Sequence, residues 1–575
     1  MDSVGEMTDH SELLERARNW ITGDPDDGTR RELERLVADE DWDALTERMG
    51  GVLEFGTAGI RGAVEAGSNR MNRAVVIKTT AGLSDFLLSN RSGPVVVGFD
   101  GRISSRQFSE DTIGVLAAAG HEVRFFTEPV PTPLVAFTAK RQGAAAAVVV
   151  TASHNPPADN GYKVYDSNGA QIVPPVDTQI AAAIAAVGRA NDVPRIEGTM
   201  GGTSSSATPI DAEAAYAAYW SEVDGVRTRR TGSDIAIAYT PIHGVGWRYV
   251  ERLFRDAGYK RLRVVESQRD PDGRFPTVAF PNPEEPGAMD LVMDLGDRID
   301  ADLVMANDPD ADRLAVALPE EDGSWRPLTG NQIGVLLADW LLEHWSRKAR
   351  PIVINSIVSS PMLATIAAAH DARVEQTLTG FKWIANAAMD LEMAGEGEFC
   401  CGYEEALGYS VGRTVRDKDG MSAALVFADM AATLADSGTD VSSRLADLYR
   451  RAGLWVSTQV SVVRPGSEGL AEIDAVMERL ATRVPDELDG RAVVGSTDYR
   501  TGANDRPRWL SSTPLVALDL EGGGRVLIRP SGTEPKLKIY IDLPGETGSD
   551  LRAAEEAARA EADSIGKETA RFLGL

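Results

Sequence analysis

The sequence has 575 residues, of which 43% are hydrophobic, so it can form several domains with buried cores. Its formal net charge of −28 argues against a nucleic-acid-binding protein. It contains no apolar run of about 18 residues and begins with an acidic segment, so we expect neither a membrane span nor a secretion signal. We expect the adjacent Cys400 and Cys401 to be reduced core residues of a cytoplasmic protein.

Strand and helix signals alternate along most of the chain. The predicted elements in chain order are strand 95–98, helix 109–119, strand 123–126, strand 144–150, strand 234–240, helix 247–257, a strand from 262, helix 333–345 and strand 352–355. Such alternation predicts α/β domains with mostly parallel sheets. In the C-terminal part, strands between 526 and 541 precede an Ala/Glu-rich helix from 549, which we expect to dock on the surface. The Gly/Ser-rich segment 198–207 is expected to be a flexible loop without a function.

The loop after the predicted strand 144–150 presents a hydroxyl group. It reads TASHNPPADNGYK and ends at Lys163. Its two prolines disfavour a helix start at Ser153, and Asn160-Gly161 predicts a turn. Because open α/β sheets bind ligands at the carboxyl ends of their strands, we expect Ser153 to be functional, with Lys163 returning a positive charge towards it. A polar turn in which Ser153 caps a helix is the alternative.

A second loop carries three carboxylates at alternate positions. Asp308, Asp310 and Asp312 lie between two strand-like segments, and three hard oxygen ligands suit Mg²⁺. An EF-hand is excluded because it requires Gly and Glu where this chain has Arg313 and Pro319. Arg313 is a candidate to orient a carboxylate or to bind phosphate. An acidic surface turn is the alternative.

A third loop, GYEEALGY, places Glu404 and Glu405 side by side. Because neighbouring side chains of an extended chain point in different directions, one carboxylate can accept sugar hydroxyls while the backbone or a cation holds the other. The overlapping G-x-S-x-G pattern at 408–412 lacks the following helix that a nucleophile elbow requires, so we treat it as chance.

A fourth loop, RPSGTEPK, has the composition of a phosphate cradle. Gly532 lets the backbone approach a ligand closely. Ser531 and Thr533 add hydroxyl donors, and the planar fork of Arg529 suits phosphate.

These four loops, in this order, resemble those of the α-D-phosphohexomutases, the family of phosphoglucomutases and phosphomannomutases. The resemblance covers most of the chain and includes LEFGTAGIRG at 53–62, which implies that Arg61 lies in the active site. The stretch from Trp20 to Arg61 and the segment TGFK at 379–382 look most like the subgroup of bacterial phosphoglucomutases and animal phosphopentomutases. The sugar-reading loop departs from the commonest hexose form, which has Ser where this chain has Ala406.

The resemblance implies four domains, three of them related α/β domains with mixed, mostly parallel sheets and the last a smaller C-terminal α+β domain. The expected boundaries are 1–230 for a helical lead-in and the phosphoserine-loop domain, 231–328 for the metal-loop domain, 329–454 for the sugar-binding-loop domain and 455–575 for the phosphate-binding domain. One active site is expected at the domain junction. It must be locally positive, because an acidic chain repels an anionic substrate.

The implied activity is that of a phosphosugar mutase, which interconverts the 1-phosphate and 6-phosphate of glucose or mannose. It would use Mg²⁺, a phosphoserine at Ser153 and a sugar 1,6-bisphosphate as intermediate and activator. A phosphopentomutase is the alternative, and a metal-dependent phosphatase and a non-catalytic sugar-phosphate sensor are the rival classes. Lys163 and His154 are both candidate bases, and for Lys163 this requires a pKa lowered by burial beside Arg61. We expect no nucleic-acid, membrane or obligate protein partner.

The residues implied in the site fall into three groups. The catalytic residues are Arg61, Ser153, His154 and Lys163. The metal ligands are Ser153, Asp308, Asp310 and Asp312. The substrate-binding residues are Arg313, Thr379, Gly380, Lys382, Glu404, Glu405, Lys418, Arg529, Ser531, Gly532 and Thr533.

Overall fold

The computed structural model describes residues 2–53, 59–201, 205–464, 466–531, 536–548 and 550–575. Contacts within the chain define two compact units. The first unit comprises Met1–Trp325 and Thr414–Leu425, and the second comprises Arg326–Arg413 and Val426–Leu575. The four domain boundaries expected from the sequence stay a prediction.

The first unit begins with three helices that share a small core of their own. They are α1 (Asp2–Gly23), α2 (Asp27–Ala38) and α3 (Trp42–Met49). Leu33 and Leu45 are buried at the centre of this core. Asp26 and Asp41 begin α2 and α3 by accepting hydrogen bonds from backbone N–H groups of the first turn.

A mixed six-stranded sheet follows in the first unit. Its elements are β1 (Ile60–Ala63), α4 (Arg73–Asn90), β2 (Val95–Phe99), α5 (Ser105–Ala118), β3 (Val123–Phe125), α6 (Thr132–Arg141), β4 (Ala146–Val150), β5 (Asp159–Asp166), α7 (Val176–Ala186), the 3-10 helices Ala190–Asp192 and Thr199–Gly201, β6 (Ala207–Pro209) and α8 (Ala212–Val226). The strand order is β1-β5-β4-β2-β3-β6. Strand β2 is parallel to β3 and β4, whereas β5 is antiparallel to β1 and β4. Strands β2 and β4 are buried throughout, as is typical of central strands in an α/β sheet.

A five-stranded sheet completes the first unit. Its elements are β7 (Ser233–Thr240), α9 (Trp247–Asp256), β8 (Tyr259–Val264), the 3-10 helix Glu266–Gln268, α10 (Asp290–Ile299), β9 (Leu303–Ala306), β10 (Ala315–Pro319) and β11 (Trp325–Pro327). The strand order is β11-β10-β9-β7-β8. Because β9 is parallel to β7 and antiparallel to β10, the loop that leaves β9 lies at the carboxyl ends of β7 and β9.

The second unit begins with a four-stranded sheet of order β13-β12-β14-β15. The elements from here to residue 452 are α11 (Gly330–Glu343), β12 (Pro351–Ser356), α12 (Met362–Ala369), β13 (Arg373–Thr377), α13 (Phe381–Met393), β14 (Glu398–Glu404), β15 (Gly408–Val411), α14 (Gly420–Asp436) and α15 (Val441–Ala452). The first six residues of α14 belong to the first unit. Thr329 and Gln332 form a capping box, which makes α11 begin earlier than the apolar pattern alone predicts.

The C-terminal part of the second unit is an antiparallel sheet with two long helices. Its elements are β16 (Leu454–Val463), α16 (Gly466–Thr482), β17 (Glu487–Leu488), β18 (Arg491–Asp498), the 3-10 helices Ala503–Asp505 and Arg508–Leu510, β19 (Val516–Leu520), β20 (Arg525–Pro530), β21 (Lys536–Gly545) and α17 (Leu551–Leu573). The strand order is β16-β21-β20-β19-β18-β17. Helix α17 buries Ala562 and Ile565 against this sheet, which confirms the expected docked helix.

The expected fold class is confirmed, with four sheets over the described residues, the first three mixed and mostly parallel and the last antiparallel. Cys400 and Cys401 are buried, unbridged residues of β14, as predicted. No helix in the described part of the chain is long and apolar enough to cross a bilayer.

Two local predictions are wrong. Asn160 and Gly161 do not form a turn but lie within β5, because their pairing with β1 overrides the local preference. A side chain at Gly161 would meet the carbonyl oxygen of Thr151 at 2.5 Å, so the residue type serves close strand packing instead. Segment 198–207 is also not simply a loop, since it contains the 3-10 helix Thr199–Gly201 and the first residue of β6; residues 202–204 lie outside the described residues.

Candidate active site

Ser153 lies in the loop that connects β4 to β5, which we call the serine loop (residues 151–158). The side chain is buried, and Oγ donates a hydrogen bond to Oδ2 of Asp308 at 2.6 Å. The backbone N–H of Ser153 donates to Oγ1 of Thr151 at 2.8 Å. Ser153 has a φ of 52°, in the left-handed region that costs an L-residue roughly 1–2 kcal/mol. Strain of this kind is typical of functional positions that the surrounding structure fixes.

Asp308, Asp310 and Asp312 converge, as predicted, in the loop between β9 and β10. One oxygen of each carboxylate lies within 4.8 Å of the others, and all three side chains are buried. Oδ1 of Asp310 and Oδ1 of Asp312 are buried without a hydrogen-bond partner among the described residues. Because buried carboxylate oxygens are ordinarily paired, and because Mg²⁺ prefers such ligands, this cluster fits a bound Mg²⁺ ion.

Two lysines contact the carboxylate cluster. Nζ of Lys163 lies 2.7 Å from Oδ2 of Asp310 and 3.0 Å from Oδ2 of Asp312. Nζ of Lys418 lies 3.1 Å from Oδ2 of Asp312. Burial raises the pKa of Asp312, but Lys163 and Lys418 outweigh burial and hold this pKa below its ordinary value. For Asp308, burial and the neighbouring carboxylates raise the pKa well above its ordinary value.

The lowered pKa that Lys163 would need to act as the base is not found in these surroundings. Burial does lower the pKa of Lys163, but the charges of Asp310 and Asp312 outweigh burial and leave the pKa above its ordinary value. Lys163 is therefore a cation that holds the two carboxylates together, rather than a neutral amine.

His154 is placed differently from Lys163. Its Nδ1 lies 3.2 Å from Oγ of Ser153. Burial, together with the charges of Arg313 and Arg61, lowers the pKa of His154 well below its ordinary value, so the imidazole is neutral near pH 7 and can accept a proton. Arg61 donates through Nη1 to Oδ1 of Asn155 at 2.8 Å, which places this guanidinium at the serine loop.

Arg313 contributes to the carboxylate cluster through its backbone. Its N–H donates to Oδ1 of Asp308 at 3.0 Å, and its guanidinium lies 3.6 Å from Glu284. Arg313 therefore does orient a carboxylate, as the first half of the prediction states, but through its backbone N–H group and not through its side chain. A phosphate-binding role for its side chain stays a prediction.

Two residues that support the cluster were missed by the sequence reasoning. Thr132, the first residue of α6, donates through Oγ1 to Oδ2 of Asp310 at 2.7 Å. Asp417 accepts hydrogen bonds from the hydroxyl of Tyr165 at 2.6 Å and from the side chain of Lys418 at 3.3 Å. Asp417 could have been found from the sequence, because it is an acidic residue next to Lys418, which was a predicted site residue. Nothing in the local sequence distinguishes Thr132 from other threonines.

The second unit carries the predicted sugar-reading loop, which is the tight connection between β14 and β15. Oε1 of Glu404 accepts the backbone N–H of Gly380 at 2.7 Å. Oε2 of Glu405 accepts the hydroxyls of Ser356 and Ser359 at 3.0 and 3.2 Å. Both carboxylates are therefore held in place by hydrogen bonds, where the sequence predicted this for one of them.

The remaining predicted substrate-binding residues also lie in the second unit. Thr379 and Gly380 precede α13, and Lys382 is a buried residue in its first turn, with Nζ 5.6 Å from the ring centre of Trp383. Arg529 is a half-buried residue of β20, and Ser531 follows this strand with its N–H bonded to the carbonyl of Lys536 at 2.8 Å. The predicted Gly532 and Thr533 lie outside the described residues.

Comparisons with known proteins identify the family. Models of the phosphoglucomutase/phosphomannomutase family match the chain in sequence: alpha/beta/alpha domain I at residues 52–190, domain II at 214–322, domain III at 329–452 and the C-terminal domain at 470–560. A probable phosphomannomutase of Haemophilus influenzae is 38% identical over 84% of this chain and 94% of its own length. A probable phosphoribomutase of Schizosaccharomyces pombe is 35% identical over 95% and 97%.

A solved structure supports the fold. The exocytosis-sensitive phosphoprotein parafusin, a phosphoglucomutase from Paramecium in its open form, matches with a TM-score of 0.67 and 18% identity, covering 91% of this chain and 96% of that one. The family models match four domains of the chain, and the relatives are identical at a third or more of the positions over most of its length. The serine beside three aspartates is consistent with these matches. The chain belongs to the phosphoglucomutase/phosphomannomutase family and is an enzyme of the intramolecular phosphotransferase type.

Proposed function

We propose that this enzyme interconverts the 1-phosphate and 6-phosphate of a hexose, glucose or mannose, through a phosphoserine at Ser153 and a sugar bisphosphate. The observation that carries the proposal is the 2.6 Å hydrogen bond from Oγ of Ser153 to Asp308, within a buried triad of carboxylates. This arrangement joins a group that can carry a phosphoryl to a cluster that fits Mg²⁺. A metal ion held by Asp308, Asp310, Asp312 and the Ser153 oxygen would offset negative charge on the transferring phosphoryl group.

The proposed reaction has two transfers. A hydroxyl oxygen of the sugar phosphate attacks the phosphorus on Ser153, the bond from phosphorus to Oγ breaks, and the hydroxyl proton passes to a base. The resulting bisphosphate then returns its other phosphoryl group to Oγ. His154 is our preferred base, because its imidazole is neutral and its Nδ1 lies 3.2 Å from Oγ, whereas Lys163 is a cation whose pKa is raised by its two carboxylates.

Substrate binding is assigned to the remaining predicted residues. Glu404 and Glu405 are oriented by their hydrogen bonds and are proposed to accept sugar hydroxyls. Arg529 and Ser531, together with Gly532 and Thr533, are proposed to bind the phosphate that is not reacting. Arg61, Arg313 and Lys418, with Thr379, Gly380 and Lys382, complete the proposed set.

A phosphopentomutase is the second candidate, and two observations favour it. Ala406 lacks the hydroxyl that the commonest hexose form of the loop provides, and the relative from Schizosaccharomyces pombe is a probable phosphoribomutase. We therefore expect turnover of ribose 1-phosphate beside glucose 1-phosphate. Ala406→Ser adds one neutral hydrogen bond of about 1 kcal/mol, so the ratio of kcat/KM should shift towards the hexose by about fivefold. An unchanged ratio would remove Ala406 as a determinant.

The central test combines product analysis with mapping of the phosphoryl group. Wild-type enzyme with glucose 1-phosphate, catalytic bisphosphate and Mg²⁺ should yield the 6-phosphate, whereas a phosphatase yields free phosphate and a sensor yields neither. Mass spectrometry should place one phosphoryl group in the peptide that carries Ser153. Ser153→Ala should abolish turnover, and Ser410→Ala, in the G-x-S-x-G pattern that we treat as chance, should retain it. A phosphoryl group on another residue, or turnover by Ser153→Ala, contradicts the proposal.

A further inference from the structure

One buried arginine that the proposed mechanism does not use binds the backbone of the serine loop. Arg102 follows β2 and is 4% exposed. Its Nη1 donates to the carbonyls of Pro156 and Asp159 at 2.7 and 2.8 Å, and its Nη2 donates to those of Ser153 and Asn155 at 2.8 and 2.5 Å. We propose that Arg102 is a positioning residue that fixes Ser153 for phosphoryl transfer through these four carbonyls. The inference rests on the function proposed above.

The hydrogen-bond geometry separates Arg102 from an arginine that binds substrate. The two terminal nitrogens of a guanidinium carry four N–H groups, and three carbonyls of the serine loop, together with that of Asp159 at the start of β5, receive hydrogen bonds from them. These donors are therefore engaged by the protein itself and are not directed at a phosphate. A lysine cannot replace this fork, because its three N–H groups diverge from one nitrogen.

Arg102 is itself held from several sides. Oδ1 of Asp100 accepts the backbone N–H of Arg102 at 3.0 Å and the hydroxyl of Ser105 at 2.6 Å. Oδ2 of Asp100 lies 3.4 Å from Nε of Arg102. The ring of Phe275 lies 5.2 Å from the guanidinium carbon. The guanidinium is thus a fixed template for the loop rather than a mobile surface group.

The serine loop needs an external template of this kind. Pro156 and Pro157 lack backbone N–H groups, so the loop pairs only part of its own backbone: the N–H groups of Asn155 and Asp159 bond to the carbonyls of Ala152 and Pro156 at 3.0 Å each. Ser153 also has a positive φ, and such a conformation persists only where the surroundings impose it. Arg102 supplies the missing donors next to Ser153, whose Oγ is hydrogen-bonded to Asp308.

The test compares Arg102→Lys with a matched control. Arg73→Lys keeps the charge but loses the two-point contact with buried Asp111, at 2.8 and 2.8 Å, between helices α4 and α5 of the same unit. Misplacing a reacting group by about 1 Å costs on the order of 100-fold in rate, so Arg102→Lys should lose about 100-fold in kcat. Its KM for glucose 1-phosphate should stay within about threefold, because the lost interactions are not with substrate. Arg73→Lys should keep kcat even where its melting temperature falls as much.

Two further measurements remove ambiguity about folding. In Arg102→Lys, hydrogen–deuterium exchange should rise in the peptide that carries Ser153, and in Arg73→Lys it should not. In Arg102→Ala, added guanidinium ion should restore part of kcat, whereas methylammonium should not. Where Arg102→Ala does not fold, the lysine variant and the exchange measurement decide.

The outcomes are distinct from those that test the proposed function. Retention of kcat by Arg102→Lys, a rise in KM with unchanged kcat, or an equal loss of kcat in Arg73→Lys each overturns the positioning role. A wild-type enzyme without mutase activity would overturn the proposed function instead. The exchange measurement on the serine-loop peptide would then still decide whether Arg102 fixes the loop.

Discussion

Replacement of Lys163 by methionine should destabilise the first unit in a way that Mg²⁺ reverses. The lysine is 3% exposed and neutralises Asp310 and Asp312 at 2.7 and 3.0 Å. Methionine keeps most of the side-chain volume but leaves two buried carboxylates with one fewer cation. Removing one member of a buried ion pair costs about 3–5 kcal/mol. Lys418 still contacts Asp312, so we expect the lower end, about 3 kcal/mol.

The assay is thermal unfolding with EDTA and with saturating Mg²⁺. A loss of about 3 kcal/mol corresponds to a fall of roughly 4 °C in the melting temperature of a unit of this size, because the entropy of unfolding is about 2.1 cal/mol/K per residue. With Mg²⁺ the fall should be much smaller, because an ion on the carboxylates replaces the missing charge. Lys78→Met is the control, since burial lowers the pKa of Lys78 and its removal should be neutral or stabilising. A fall of less than about 2 °C in EDTA, or the same fall with and without Mg²⁺, would refute the reasoning.

Three further predictions concern activity and stability. Asp310→Asn should lower activity by at least about 100-fold and raise the Mg²⁺ concentration needed, because one anionic ligand is lost; EDTA should also abolish wild-type activity. Arg529→Ala should raise KM and the fraction of turnovers released as free phosphate, both measured in one coupled assay, because the distal phosphate is less firmly held. Burial raises the pKa of Asp339, but Arg451, Arg444 and His370 outweigh burial, so the pKa in the folded protein is below its ordinary value. The charged carboxylate therefore stabilises the fold at a pH above the pKa of the unfolded chain. This stabilisation is lost as the pH falls through the lower pKa of the folded protein. Urea unfolding should show Asp339→Asn less stable by about 1–3 kcal/mol at pH 7, because buried hydrogen bonds to the carboxylate are lost, with the difference closing below about pH 4.

The sequence predicts the elements of the site whose information is local. Three aspartates at alternate positions between two apolar strands are expected to lie on one face of a short segment. In the structure, one carboxylate oxygen each of Asp308, Asp310 and Asp312 lies within 4.8 Å of the others. A serine followed by two prolines after a buried strand likewise predicts a rigid loop at the strand end. In both cases flanking strands fix the ends of a short segment, so few arrangements remain.

Properties that depend on distant residues could not be predicted. The pKa of Lys163 is set by Asp310 and Asp312, which are nearly 150 positions away in the sequence. Asn160 and Gly161 join a strand because β1, near residue 60, pairs with them. Local composition favours a turn at Asn160 and Gly161, and for Lys163 it does not show whether the pKa is raised or lowered. Only the tertiary pairing decides either outcome.

The charges around the triad suggest how an acidic chain can bind an anionic substrate. The three carboxylates are opposed by two contacting lysines, Lys163 and Lys418, which leaves a formal excess of one negative charge. A divalent ion on the cluster would reverse the sign of that excess, and the charges of Arg61 and Arg313 also act on the serine loop through His154. On this reasoning the carboxylates and the two lysines alone do not attract a phosphate, and a bound metal ion would add to the positive charge that Arg61 and Arg313 supply. Mg²⁺ would then contribute to substrate binding as well as to phosphoryl transfer, because the same ion strengthens the local field that the net charge of −28 otherwise opposes.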